Sequence, residues 1–162
     1  LVLMVSYVFT GGMIASFEKS LSAVIALVAY MPMLMGTGGN SGTQSSTVII
    51  TGMATGDLEL SDVLRVLWKE FRIGIIVGIC VSILNYMRIV AFDHNGSLVA
   101  LTVCLSMVLI VIIAKCIGAL LPMIAKKIGI DPALIAGPMM ASLTDMVALG
   151  TYFTMARLVL KI

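Results

Sequence analysis

One carboxylate in this chain stands where carboxylates rarely stand. Asp145 lies within Ala141-Ser142-Leu143-Thr144-Asp145-Met146-Val147-Ala148, with apolar flanks extending more than a helical turn each way. An acid at that depth in an apolar helix costs ~2.5–3.5 kcal/mol on insertion scales, so its default reading is functional. The chemistry open to it is recognition of a cation or relay of a proton. Helical spacing puts Ala141 one turn and Gly137 two turns before it on the same face. Those small neighbours leave room for a hydrated ion beside the carboxylate. The plainer reading is a buried Asp hydrogen-bonded to a Ser or Thr of a neighbouring helix.

The second unusual segment runs Pro32-Met33-Leu34-Met35-Gly36-Thr37-Gly38-Gly39-Asn40-Ser41-Gly42-Thr43-Gln44. Pro32 has no N–H, so the carbonyl of Val28 loses its partner one turn earlier. The glycines permit close backbone approach, and together these features predict an interrupted helix. Irregular backbone at membrane depth survives only inside protein or along a water-filled cavity. Asn40, Thr43, Gln44, Ser45, Ser46 and Thr47 add a strip of neutral oxygens, which offers an ion many uncharged ligands. The alternative for the segment is a small-residue contact surface between helices.

Other charged or constrained residues are secondary. Asp131-Pro132 reads as an N-cap with proline at the first helical position. Pro138 is expected to bend the same span ahead of Asp145. Lys115, deep in an apolar run, either snorkels to the membrane edge or pairs with an acid, and snorkelling is the favoured expectation. Glu18 and Glu70 fall at opposite membrane edges, as solvated charges or as acids concentrating cations at a pore mouth. His94 stands alone in a loop, and Asn95-Gly96-Ser97 matches a glycosylation sequon by pattern only. Gly39-Asn40-Ser41-Gly42 has the G-x-S-G form of an intramembrane serine protease, but no histidine lies near enough to act as base. An aspartyl protease needs two carboxylates sharing a site, and Asp145 is the single deep one. Cys80, Cys104 and Cys116 match neither zinc nor disulfide spacing and read as packing residues.

The elements that must hold these residues follow from composition. Of 162 residues 60% are hydrophobic and 11% charged, against about a quarter charged in soluble domains. Such a chain cannot cover itself with polar surface, so its solvent is lipid. A net charge of +2 without any basic run gives no nucleic-acid partner. Continuous apolar runs exclude an alternating barrel pattern. The prediction is an all-α membrane protein with spans over Leu1–Phe17, Leu21–Gly52, Phe71–Phe92, Leu98–Ile124 and Pro132–Leu160, one domain over residues 1–162. Glu18-Lys19-Ser20 and Asp93–Ser97 connect spans on one side; Asp57–Glu70 and Lys126–Asp131 connect them on the other. Arg65, Lys69, Lys126 and Lys127 mark the latter side as cytoplasmic, with Arg157 and Lys161 arguing mildly the other way. The chain opens inside an apolar run without a signal-peptide pattern, so further chain is expected upstream. Five spans contain no matched halves, and a homodimer would supply the symmetry instead.

The Gly-Thr-Gly-Gly-Asn-Ser-Gly-Thr-Gln core of Gly36–Gln44 resembles the signature of the MgtE-type magnesium transporters and their solute-carrier relatives. Asp131-Pro132-Ala133, Gly137-Pro138 and Thr144-Asp145 resemble the fifth pore helix of the same family, in the expected order. The resemblance implies a homodimer in the inner membrane of a bacterial cell, with a central pore lined by the second and fifth helices. It implies that Asp145 recognises Mg²⁺ largely through retained water, assisted by backbone oxygens of Ala141, Gly36 and Gly39, with Asn40 in the same signature. Pro32, Gly38, Gly42, Thr43, Gln44, Gly137, Pro138 and Thr144 then line the pore. Gly137 departs from the Asn of some members, which is expected to weaken discrimination against Mn²⁺ and Co²⁺. The family's cytoplasmic acidic and CBS regulatory parts have no counterpart in these residues. Two other functions remain open from the residues themselves: a proton-coupled carrier with Asp145 as relay, and a structural subunit of a larger membrane complex.

Overall fold

A computed structural model describes residues 2–17, 26–93, 97–135 and 137–161, and all regular structure in them is helical. The helices are α1 (Val2–Ser16), α2 (Ala26–Thr55), α3 (Val63–Arg88), α4 (Ser97–Lys127) and α5 (Pro138–Leu160). Short 3-10 turns at Leu60–Asp62 and Pro132–Leu134 precede α3 and α5, and a π-helical turn, Ile89–Asp93, continues α3.

Among the described residues, three stretches are long and apolar enough to cross a membrane: Leu60–Asp93, Ser97–Lys127 and Met139–Leu160. α1 has 15 residues, about 22 Å of helix against a hydrocarbon core of about 30 Å. α2 is long enough at 30 residues, but its glycines, hydroxyls and amides dilute its apolar character.

α4 is the axis of the bundle. α2, α3 and α5 all pack on it, α5 also packs on α2, and α1 lies outside against α5. Leu27, Leu34, Met107, Ile110, Leu149, Tyr152 and Phe153 form the core at one end. A smaller cluster of Ile49, Met53, Val66, Ala119 and Met123 closes the other. Between the two ends the helices meet through small residues. A Cβ on Gly118 would run into the carbonyl oxygen of Gly42, and one on Gly74 would lie 2.9 Å from Ile112 Cα. Lipid tails are as apolar as the helix faces, so such close packing supplies association that a hydrophobic drive cannot.

The structure corrects the sequence reading in three places. α2 runs unbroken through Pro32 and the glycine cluster. Buried residues on both sides of Pro32, from Leu27 and Tyr30 to Leu34, hold the helix against its neighbours while one hydrogen bond is lost. The charged stretch assigned to a connection is helical from Val63, and Glu59 N–H donates to Asp62 Oδ2 at 3.1 Å just before it. Pro138 opens α5 rather than bending it, since proline suits a first turn where its missing N–H leaves nothing unpaired. The Asp131 cap holds as expected: its side chain accepts from Ala133 N–H at 2.9 Å. Glu18, Lys19, Ser20, His94, Asn95 and Gly96 lie outside the described residues, as does the pore-mouth role assigned to Glu18.

Candidate functional site

Asp145 sits two turns into α5, half-buried. Among the described residues its carboxylate has neither a hydrogen bond nor an ion pair. The reason for the space around it is Gly39 of α2: a Cβ there would stand 3.9 Å from Asp145 Oδ1 and 3.8 Å from Thr144 Oγ1. Gly36 and Asn40, on the same side of α2, are exposed, and a Cβ on Gly36 would meet nothing within 4 Å. On α5, Gly137 is likewise open, and its carbonyl accepts from Ala141 N–H at 3.2 Å. Thr144 is buried and turns its hydroxyl to the carbonyls of Met140 and Ala141, both at 2.9 Å. Asp145 therefore faces Gly39 with Gly36, Asn40, Gly137 and Ala141 nearby along the two helices. The buried hydroxyls of Ser46 and Ser142 have no partner among the described residues.

Other residues expected at a pore lie elsewhere. Gly38 is buried against Ile110 and Ala148, and Gly42 against Thr144, Ala114 and Met140. Both are contact glycines closed off within the chain, because the helix rotates alternate members of the cluster inward. Thr43 is half-buried, and its carbonyl accepts from Thr47 Oγ1. Of the strip of neutral oxygens, Ser45 and Ser46 turn inward and are buried, while Asn40, Thr43, Gln44 and Thr47 share the more exposed side of α2. Pro32 borders a different cavity of about 650 Å³ with Tyr30, Met33, Arg88 and Asp93. There Asp93 accepts from Tyr30 at 2.9 Å and pairs with Arg88 at 3.2 Å. Pro138 begins α5 and its side chain is not described.

The largest surprise is Glu70. Expected as a solvated or pore-mouth acid, it is 5% exposed, and Lys115, expected to snorkel, is 6% exposed. Lys115 Nζ lies 3.5 Å from Glu70 Oε2 and donates to Ser45 Oγ at 3.2 Å, while the Ser45 hydroxyl donates to Glu70. Lys115 stands more than three turns before the end of α4, beyond the reach of its own side chain to the edge. A cleft of about 300 Å³ beside the triad is lined in part by Gln44, Val48 and Lys69. The signal in the sequence was a deep lysine, which needs an acid; which acid required the fold.

Among the described residues no three His, Cys, Asp or Glu side chains cluster as a metal cage requires. The cysteines are free, and Cys104 is buried with its thiol directed to the Ser82 carbonyl at 3.4 Å. A carboxylate with no His or Cys clustered beside it among the described residues suits a hard cation that keeps part of its water.

The family model MgtE, described as a divalent cation transporter, matches residues 31–155, from α2 through Asp145 into α5. The magnesium transporter MgtE of Thermus thermophilus is 41% identical over 160 residues, covering 99% of this chain and 35% of that protein. The magnesium transporter MgtE of Bacillus subtilis is 35% identical over 147 residues, 91% of this chain and 32% of its own length. The Enterococcus faecalis protein of the same name is 28% identical over 152 residues, 94% of this chain and 33% of its own. The chain spans about a third of the length of these curated relatives. All three are named as transporters rather than enzymes.

Proposed function

Because the chain belongs to the MgtE family of divalent cation transporters, we propose that it forms the membrane pathway for a divalent cation, foremost Mg²⁺, with Asp145 as the recognising carboxylate. The observation that carries this reading is an acid in mid-helix, unpartnered among the described residues, facing a helix whose side chain opposite it is missing at Gly39. Mg²⁺ dehydrates reluctantly and is usually held through one or two carboxylates with several waters retained. A homodimer would bring two copies of Asp145 to a shared axis and cover the polar face of α2, which lipid cannot solvate. All five helices would then lie within the membrane, with the Asp57 and Lys126 loops on the cytoplasmic side of a bacterial inner membrane.

The driving force needs no nucleotide. An inside-negative potential favours entry of a divalent ion by ~4.6 kcal/mol per 100 mV, twice the ~2.3 for a unit charge. Backbone oxygens of Gly36, Gly39 and Ala141 and the Asn40 amide would contact the water shell. Selection by shell geometry favours Mg²⁺ over Ca²⁺, which takes more ligands at longer distances. Mn²⁺ and Co²⁺, closer to Mg²⁺ in size, would pass more readily, the more so with Gly137 in place of an amide. A carrier built on a broken helix aiming half-helix N-termini at an anion would need an interruption that α2 lacks.

The test is ion uptake into proteoliposomes loaded with a Mg²⁺-sensitive dye, with Ca²⁺ as competitor. Asp145→Asn keeps the side-chain volume and removes the charge, so uptake should fall to the protein-free background in a monodisperse protein. Undiminished uptake in Asp145→Asn, or Ca²⁺ outcompeting Mg²⁺ at the Asp145-dependent step, would sink the assignment.

A further inference from the structure

α2 is held by large apolar side chains at its two ends and by almost none in between. Leu27, Tyr30, Met31 and Leu34 are buried toward one end, and Ile49 and Met53 toward the other. From Gly38 to Ser46 the buried residues of α2 are glycines and serines only: Gly38, Ser41, Gly42, Ser45 and Ser46. This is the stretch that faces Asp145. Glycine contacts bring helices close, but they present no interlocking side chain and resist rotation or sliding weakly.

Within that stretch, Ser45 is tied sideways to both other long helices. α2 and α3 pack on α4 and make few close backbone approaches to each other. Glu70 of α3 reaches across to the Ser45 hydroxyl, and Lys115 of α4 closes the triangle on both. Each of the three side chains contacts the other two, and two of them are charged, so the triangle is strong and directional. Its two charges are almost wholly buried, where a charge is costly, and a packing role alone would have left these places to apolar residues.

We infer that Ser45, Glu70 and Lys115 form a clamp that sets the rotation and depth of α2, and so presents Gly36, Gly39 and Asn40 to Asp145. The three are positioning residues: none touches Asp145, and the clamp's consequence for transport rests on the ion-recognition reading of Asp145. The clamp itself does not, because its direct product is the register of α2 against α5. That register can be read independently. A Cβ on Gly38 would lie 3.6 Å from Ala148 Cβ, within the range a disulfide bridges, and 2.9 Å from Ile110 Cγ2.

The experiment uses the full-length protein with Cys80, Cys104 and Cys116 replaced by alanine, carrying Gly38→Cys, Ala148→Cys and Ile110→Ala. Oxidative cross-linking in membranes reports the register. Mg²⁺ uptake is measured in parallel on proteins without the added cysteines. Glu70→Gln and Lys115→Met should each lower the cross-linking yield and cut uptake by ~10-fold or more, as loss of groups that orient an ion site does. Asp145→Asn should abolish uptake and leave the cross-link intact. If either single variant fails to fold, the double Glu70→Gln/Lys115→Met, which buries no unpaired charge, should fold and still show the lowered yield. A folded single or double variant with wild-type cross-linking overturns the clamp, including one whose only defect is a lower melting temperature. Should Asp145→Asn keep its uptake, the ion site is wrong while the cross-linking comparison still judges the clamp.

Discussion

Asp145 and Glu70 are both carboxylates on helices with apolar surroundings, and the fold treats them in opposite ways. Glu70 is almost wholly buried and has a cation at 3.5 Å and a hydroxyl bonded to it. Asp145 is half-buried and, among the described residues, has neither. A charge that is paired inside the chain has spent its attraction on structure. One left unpaired beside small residues keeps its attraction for something that arrives from outside. The residue type is the same in kind; the partner decides the role. A third acid, Asp93, completes the series, since its pair with Arg88 is solvent-reached, with side chains 25% and 47% exposed.

The largest effect that would separate the two deep acids is on transport and stability together. Asp145→Asn is expected to lose Mg²⁺ uptake entirely yet unfold at the same or a higher temperature, because it removes an uncompensated charge. Lys115→Met should do the reverse in emphasis, destabilising by ~3–5 kcal/mol because Glu70 is left charged and unpaired. Adding Glu70→Gln to Lys115→Met should recover most of that loss, as measured by unfolding in detergent micelles. If the double variant is no better than the single, the ion pair is not the source of the loss.

Next in size is the helix contact on which the comparison rests. Gly118→Ala places a Cβ against the Gly42 carbonyl and must push α4 from α2, at ~1–3 kcal/mol. Gly36→Ala meets nothing and should stay within about 0.5 kcal/mol in the same unfolding assay. Equal effects at the two glycines would mean that α2 is not seated as described. The smallest effect belongs to the exposed pair: Asp93→Asn should cost less than ~1 kcal/mol, and a loss approaching that of Lys115→Met would erase the distinction between buried and exposed ion pairs.

Much of this was legible before any coordinates. Continuous apolar runs required helices, and the helices over Val2–Ser16, Val63–Arg88 and Ser97–Lys127 contain or match the expected spans to within a few residues apart from the earlier start of α3. Asp145 and the glycine cluster stood out by type and depth, and the fold brings Gly39 to Asp145. The misses share one cause. Pro32 and the glycines argued locally for a broken helix, but packing on α4 and α5 overrode that preference. Gly38 and Gly42 were grouped with the open face because a linear motif does not display its own rotation.

The sequence by itself determined which residues could bear charge or give way to close approach, because side-chain chemistry and helical period are local properties. It determined that Asp145 and Lys115 would be expensive where they stand, since the expense depends on apolar neighbours along the chain. Only the tertiary structure decided that Lys115 finds its acid 45 residues earlier in α3, while Asp145 faces the missing side chain of Gly39. Pairing across helices depends on their mutual rotation and depth, and these are set by contacts between residues far apart in the chain.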